Sequence, residues 1–274
     1  STISCARYLN QNIDDCKFVP CFWMATEDHD FDEINNFYLY RKKYNWQENT
    51  VDAVGNLSNE SVLLVLNQIK DILSNTKNGK ELFNVYKKAY SDNNNYADAS
   101  RAIITFLFGG YGLVVVDGNH HKLKQLFVDD FKEEFRTQFV HNVVKETNNL
   151  LKTKYRPEIN PLKSNIFYLS DSKRTKINYD NGLFITHDNR YEWSQPELFK
   201  EIETHPERFS PNVLLRPLYQ ERLMNNIIYI GGPSEISYWI QLVNMFKYRR
   251  QFFPMLTLRS HFLILSKKTS KIKE

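Results

Sequence analysis

Two kinds of hydrophobic pattern alternate along the chain. Short, unbroken apolar runs bounded by turn residues read as strands buried on both faces, and stripes at a 3.6-residue period read as helices packed against them. The first run, FVPCFWM (Phe18–Met24), empties directly into Glu27-Asp28-His29-Asp30, with Asp32 and Glu33 behind. The second, GLVVVDG (Gly112–Gly118), sets three valines before Asp117, and the third, Ile227–Ile230, is followed by Gly231-Gly232-Pro233. Met255–Leu258 and Phe262–Leu265 predict two more strands.

Helical stripes fill the intervals. Val62, Leu66, Ile69 and Leu73 predict a helix over 61–74, and others follow over 80–90 and 99–108, the last stopped by Gly109-Gly110. The segment 122–155 predicts one or two long helices with Leu123, Leu126, Phe127, Phe131 and Phe135 on one face, ended by Pro157 and Pro161. A last helix over 234–247 turns Ile236, Trp239, Ile240, Val243 and Phe246 inward. Asn165–Trp193 breaks this order: its β-formers and its Asp180-Asn181-Gly182 turn predict a small antiparallel excursion. Ser194, Pro196 and Glu197 then open a helix with capping-box spacing. Strands alternating with helices predict an α/β fold, a doubly wound parallel sheet interrupted by insertions.

Composition narrows the function classes. At 274 residues the chain is long enough for a large core, and 42% hydrophobic with 25% charged residues is an ordinary globular balance. A net charge of +4 gives no support to nucleic-acid binding, and no segment reaches the ~18 apolar residues of a membrane helix. Cys5, Cys16 and Cys21 form neither a paired set nor a C-x-x-C clip, which suits reduced thiols in a cytoplasm. No metal site is expected from their spacing. The abrupt start and the polar end, SKKTSKIKE, read as cuts through a longer chain.

Open α/β sheets place ligands at the carboxyl ends of their strands, so three groups become candidates. Glu27, Asp28, His29 and Asp30 set carboxylates beside an imidazole, a pairing that suits general-base work on an amine or hydroxyl; a solvated loop or helix cap is the competing reading. Gly231 and Gly232 allow close approach of backbone to a ligand and lead into a helix N-terminus carrying Glu235, although the same triplet serves as a plain turn. Asn212, Arg216 and Gln220 recur at a spacing of four, with Pro217 placing the helix start just after Arg216. Arg216, like Arg259 at the end of MLTLR, suits bidentate capture of a carboxylate or phosphate, or else a structural ion pair. His120, His121 and His205 carry weaker indications.

These stretches resemble one family: the cysteine-adding enzymes of bacillithiol biosynthesis. The resemblance rests on FVPCFWMATEDHDFDEIN, YGLVVVDG, NPLKSNIFYL, HPERFSPNVLLRPLYQERLMNNIIYIGGPSEISYW and FPMLTLRSHFLI, in family order along essentially the whole chain. It implies a Rossmann-like core over 1–46, 110–155 and 205–274, with a mostly helical insertion over 47–109 and a β-rich one over 156–204. It implies condensation of cysteine with the amine of glucosaminyl-malate, and its signature segments fall on Glu27, Asp28, His29, Asp30, Arg216, Gln220, Gly231, Gly232 and Glu235; Asn212, Tyr238 and Arg259 complete the candidate substrate contacts. Family members are about twice as long, with an upstream Gly-Gln-Gln…Gly-Gly-Pro segment and a C-terminal coiled coil for homodimerisation. Asn225 stands where the family usually has proline, and His261 where it has a small polar residue.

Amide formation in water is uphill, so the cysteine carboxyl needs activation. A nucleotide such as ATP is the candidate cofactor, yet no P-loop identifies one. Small-molecule substrates, rather than nucleic acid or membrane, are the expected partners. Two other classes compete: an inactive fragment or paralogue serving as a binding module, and a metal-dependent phosphohydrolase built on His29 and Asp30.

Overall fold

A computed structural model describes residues 1–48, 52–170 and 173–265. In chain order, α1 (Thr2–Asn12) leads into β1 (Cys21–Met24), followed by the short α2 (Phe31–Ile34) and the hairpin β2 (Asn36–Leu39) and β3 (Lys42–Asn45). Four helices follow: α3 (Glu60–Gln68), α4 (Lys70–Leu73), α5 (Lys77–Asp92) and α6 (Tyr96–Phe108). Then come β4 (Val114–Asp117) and the helices α7 (His121–Gln125), α8 (Val128–Thr137) and α9 (Phe139–Leu151). Strands β5 (Ile166–Ser170), β6 (Lys173–Asp180), β7 (Leu183–Thr186) and β8 (Glu192–Trp193) precede α10 (Gln195–Thr204). The last portion comprises β9 (Phe209–Pro211), α11 (Arg216–Met224), β10 (Ile228–Gly231), α12 (Pro233–Trp239), α13 (Val243–Tyr248) and β11 (Met255–Leu258).

The fold is α/β and Rossmann-like, with its parallel strands in two hydrogen-bonded pairs: β1 with β4, and β10 with β11. In register, Met24 lies opposite Asp117 and Gly231 opposite Leu258, so each pair ends in its candidate residues. The antiparallel excursion has five strands in the order β8-β7-β6-β5-β9, with β9 returning from beyond α10. Its β6–β7 turn places Asn181 and Gly182 at φ 49° and 89°, the left-handed pair that Asn-Gly supplies at low cost. Ser194 and Glu197 cap α10 as the spacing predicts.

Two hydrophobic clusters hold the molecule. One joins Phe127, Phe131, Val140, Val144, Ile166, Tyr168, Leu198, Phe209, Leu218, Trp239 and Phe246, so the antiparallel sheet and the helices of α7–α13 share a core. The other gathers Tyr44, Trp46, Leu66, Phe83, Tyr90, Ala99 and Ile103 within the helical segment and its preceding hairpin. Buried Asp130 on α8 adds an ionic tie, accepting from Arg222 on α11 and Arg249 beyond α13.

Three expectations change. The apolar strands are not buried on both faces: Phe22, Val114, Met255 and Leu258 are 43%, 46%, 59% and 56% exposed. An apolar run reports an aversion to water, not which segment covers it. The 122–155 region is three helices rather than one or two, interrupted at Gln138, whose φ of 51° ends α8, and Leu126 faces solvent. Phe262–Leu265 is not a strand; the β10–β11 ladder closes with Arg259 N–H donating to the Gly231 carbonyl, and Ser260 is held instead by the Ser1 hydroxyl. The terminal run 266–274 lies outside the described residues.

Asn225 closes α11 at φ 46°, and its N–H donates to the Glu221 carbonyl at 3.0 Å. Proline fixes φ near −65° and has no N–H, so it would not fit this cap. In urea unfolding, Asn225→Gly is expected to stay within about 0.5 kcal/mol of wild type, and Asn225→Pro to lose about 3 kcal/mol.

Candidate active site

A cleft of about 440 Å³ opens between the two parallel strand pairs, walled by Phe22, Trp23 and Ala25 on one side and by residues of β10, α11 and α12 on the other. Arg216 and Gln220 project into it from adjacent turns of α11, Glu235 and Tyr238 from α12, and Arg259 from the end of β11.

The glycines make this crowding possible. A Cβ on Gly231 would lie 2.8 Å from the Tyr229 ring and 3.2 Å from Glu235 Cβ, and one on Gly232 would lie 3.3 Å from the Arg259 guanidinium. Gly232 donates its N–H to Glu235 Oε2 at 2.7 Å, and the Tyr229 hydroxyl donates to Oε1 at 2.8 Å. Glu235 therefore occupies the helix N-terminus that the sequence offers to an external anion.

The cationic wall has the opposite character. Arg216 donates from Nη1 to Gln220 Oε1 at 3.0 Å and from Nη2 to the Tyr238 hydroxyl at 3.1 Å. Burial disfavours its charge, but the hydroxyls of Tyr238 and Tyr229 outweigh that and raise its pKa above the ordinary value. Among the described residues, neither Arg216 nor Arg259 has a carboxylate within ion-pair distance. Guanidiniums of this kind have the geometry and charge to bind a carboxylate or phosphate.

Asn212 lies elsewhere. Its Oδ1 accepts the N–H groups of Leu214 and Leu215, and its Nδ2 donates to Asn165 Oδ1 at 2.8 Å, so it shapes the turn into α11 from a buried position.

The acidic segment after β1 does not line this cleft. Glu27 pairs with Lys124, a wholly buried lysine that also donates to the Phe209 carbonyl at 2.6 Å. Asp28 accepts the His29 N–H at 2.7 Å, its own carbonyl accepts from Val54, and Asp30 stands at the N-cap of α2 without a side-chain bond to it. His29 Nδ1 lies 3.1 Å from the Glu27 carbonyl, an acceptor only, so Nδ1 carries the proton. Nε2 is then the basic nitrogen, and it is buried with no partner. Burial lowers the His29 pKa, Arg174 adds to that, and the Glu27 carbonyl and the charges of Asp52 and Asp28 oppose it. Aromatic contacts connect the two regions: Trp23, in the cleft wall, meets Tyr219 edge-on at 5.5 Å, and Lys124 lies 5.8 Å over the Tyr219 ring.

Lys124, Tyr229 and Arg174 escaped the sequence reading. Lys124 had a signal: it precedes Phe127 and Phe131 by three and seven residues, on the inward stripe, where a lysine needs a buried partner. Arg174 had none, because its approach to His29 depends on the β5–β6–β9 pairing. Among the described residues, no group of three or more His, Cys, Asp or Glu side chains is placed to hold a metal ion, and no helix is long and apolar enough to cross a membrane.

Comparison with known proteins supplies the family. Residues 1–260 match the family model described as bacillithiol biosynthesis BshC, N-terminal Rossmann-like domain. A Flavobacterium johnsoniae protein named "Putative cysteine ligase BshC" is 37% identical over 271 residues, covering 99% of this chain and 51% of the relative. Proteins of the same name from Flavobacterium psychrophilum and Staphylococcus haemolyticus are 38% and 31% identical, covering 100% and 93% of this chain and 51% and 50% of those relatives. The chain thus spans about half the length of the curated relatives it matches. With the parallel strand pairs, the Gly-Gly turn and the arginine-lined cleft in place, the chain belongs to the BshC family, as its N-terminal Rossmann-like domain.

Proposed function

We propose that this chain carries the substrate cleft of a ligase that joins cysteine to the amine of glucosaminyl-malate in bacillithiol biosynthesis, forming a C–N amide bond. The observation that carries the reading is the pair of guanidiniums, Arg216 and Arg259, facing the cleft without a carboxylate partner among the described residues. They suit the carboxylates of a malyl group or a phosphate. Glu235 is the carboxylate on the same wall and is assigned to the cysteine ammonium, because Glu27 is committed to Lys124.

In this reading the cysteine carboxyl is activated by a nucleotide such as ATP. The amine nitrogen attacks the activated acyl carbon, the leaving group departs with its electron pair, and the amine proton passes to water in the open cleft. His29, with Asp28 bonded to its backbone and Asp30 beside it, does not line the cleft and its Nε2 is buried, so it holds the loop after β1 rather than taking the proton. The setting proposed is the cytoplasm, with small-molecule substrates and a homodimer in the full-length protein.

The test uses full-length protein containing this chain, incubated with cysteine, glucosaminyl-malate and ATP and followed by mass spectrometry. Wild type is expected to form the condensed thiol, and Arg216→Ala to lose about 10- to 100-fold in kcat/KM, the worth of a charged hydrogen-bond partner. No product from wild type, with binding of glucosaminyl-malate retained, would leave a binding module in place of the ligase.

A further inference from the structure

A second cavity, of mixed polar and apolar lining, lies away from the cleft, between the α8–α9 junction and the antiparallel sheet, with a volume of about 230 Å³. Its wall includes Glu134 of α8, Gln138 at the junction, Lys163, Ser164 and Asn165 of the loop before β5, and Lys176 of β6. Neither lysine has a carboxylate within ion-pair distance among the described residues. Glu134 is 3% exposed, its Oε2 accepting from the Val140 N–H at 3.0 Å and its Oε1 from Asn165 Nδ2 at 2.8 Å. Gln138 takes a left-handed conformation, φ 51°, at the cavity's edge, where it closes α8 with its N–H donating to the Glu134 carbonyl at 2.8 Å.

We propose that this cavity is a binding site for a small oxyanion, a phosphate or carboxylate group, held between Lys163 and Lys176 over the Glu134 carboxyl. The volume falls below the ~300–1,000 Å³ of drug-sized sites, which limits the ligand to a small ion or a single head group. Two lysines exclude a cation, and the carboxyl supplies the selectivity. Burial pushes the Glu134 pKa up to about 7, against the lowering effect of Val140 and Asn165, so near neutrality the group can take up a proton. Protonated, it stops repelling the anion and can donate a hydrogen bond to it.

The charged and titratable neighbours of Glu134 are few. Glu133 lies beside it on α8, Asp130 one turn earlier is paired with Arg222 and Arg249, and Lys163, Lys176 and Tyr179 line the same cavity. His141 on α9 is tied through Nδ1 to the Pro161 carbonyl at 3.1 Å and does not line the cavity.

Sulfate is the suitable probe, because its charge does not change in the working range, and succinate supplies the carboxylate arm. Titrated into the full-length protein at constant ionic strength and followed by calorimetry, one or both should bind at a single site. Stronger binding of sulfate indicates a phosphate site, and stronger binding of succinate a carboxylate site. Affinity should fall roughly tenfold from about pH 6 to about pH 8, as expected when binding requires one proton on a group of pKa about 7. Glu134→Gln should bind as tightly as wild type at the lower pH and show no such fall. Lys163→Met with Lys176→Met should abolish binding while leaving the anion-free melting temperature near wild type. Undiminished binding in the double-lysine variant, an unchanged pH dependence in Glu134→Gln, or no binding of either anion to wild type would overturn the proposal; the double-lysine comparison stands even if Glu134→Gln fails to fold.

Discussion

Replacing Lys124 with methionine is expected to cost about 3–5 kcal/mol, lowering the melting temperature by roughly 10 °C, because it strands the Glu27 carboxylate without its counterion. The lysine is wholly buried and bonded to Glu27 and to the Phe209 carbonyl. Burial lowers its pKa and the Glu27 charge works against that, so the carboxylate helps the buried ammonium keep its charge. The pair itself contributes little net stability, since desolvating two ions offsets most of their attraction. The double variant Glu27→Gln, Lys124→Met should therefore recover most of the loss in chemical denaturation. If it is as unstable as the single variant, the effect belongs to lost packing around Tyr219 rather than to a stranded charge.

His29→Ala in the full-length protein should leave kcat for ligation within a few-fold of wild type and instead change the acid sensitivity of folding, because the side chain lies outside the cleft. The proton on Nδ1 is fixed by the Glu27 carbonyl, and the basic Nε2 is buried without a partner. Because burial holds the His29 pKa below its ordinary 6.5, the imidazole is neutral at physiological pH. The sign of the stability effect follows. The unfolded chain takes up a proton near pH 6.5 that the folded chain resists, so the stabilisation is present above that pH and is lost as pH falls below it. His29→Ala should remove that part of the acid sensitivity in urea melts at graded pH. A loss of kcat of about 10²-fold or more would contradict this and give His29 a part in the chemistry.

Much of the architecture was legible because local chemistry determined it. The Asp180-Asn181-Gly182 turn, the Ser194–Glu197 box and the strand-to-turn switch at Gly231 each impose their backbone with little help from distant residues. The Arg216–Gln220 spacing placed both groups on one face of α11, where they line the same cleft as Glu235 and Tyr238, while Gly231 and Gly232 pack behind Glu235 and Arg259. The acidic segment was harder to read. Its charges were plain, but their direction depends on partners about a hundred positions away: Lys124 draws Glu27 inward, and Asp117 binds the Thr26 hydroxyl and Arg101. Long-range ion pairs of this kind leave no periodic trace. Asn212 illustrates the same limit, since its spacing matched Arg216 while its hydrogen bonds turn it toward Asn165.

The most direct test of the cleft's assignment is calorimetric titration of glucosaminyl-malate into the full-length wild-type protein and into its Arg216→Ala and Arg259→Ala variants. Binding to wild type, with each variant weakened at least about tenfold, is the predicted result, matching the loss of one charged hydrogen-bond partner. Equal affinity in all three proteins would contradict it, because the malyl carboxylates would then be held by something other than these two guanidiniums.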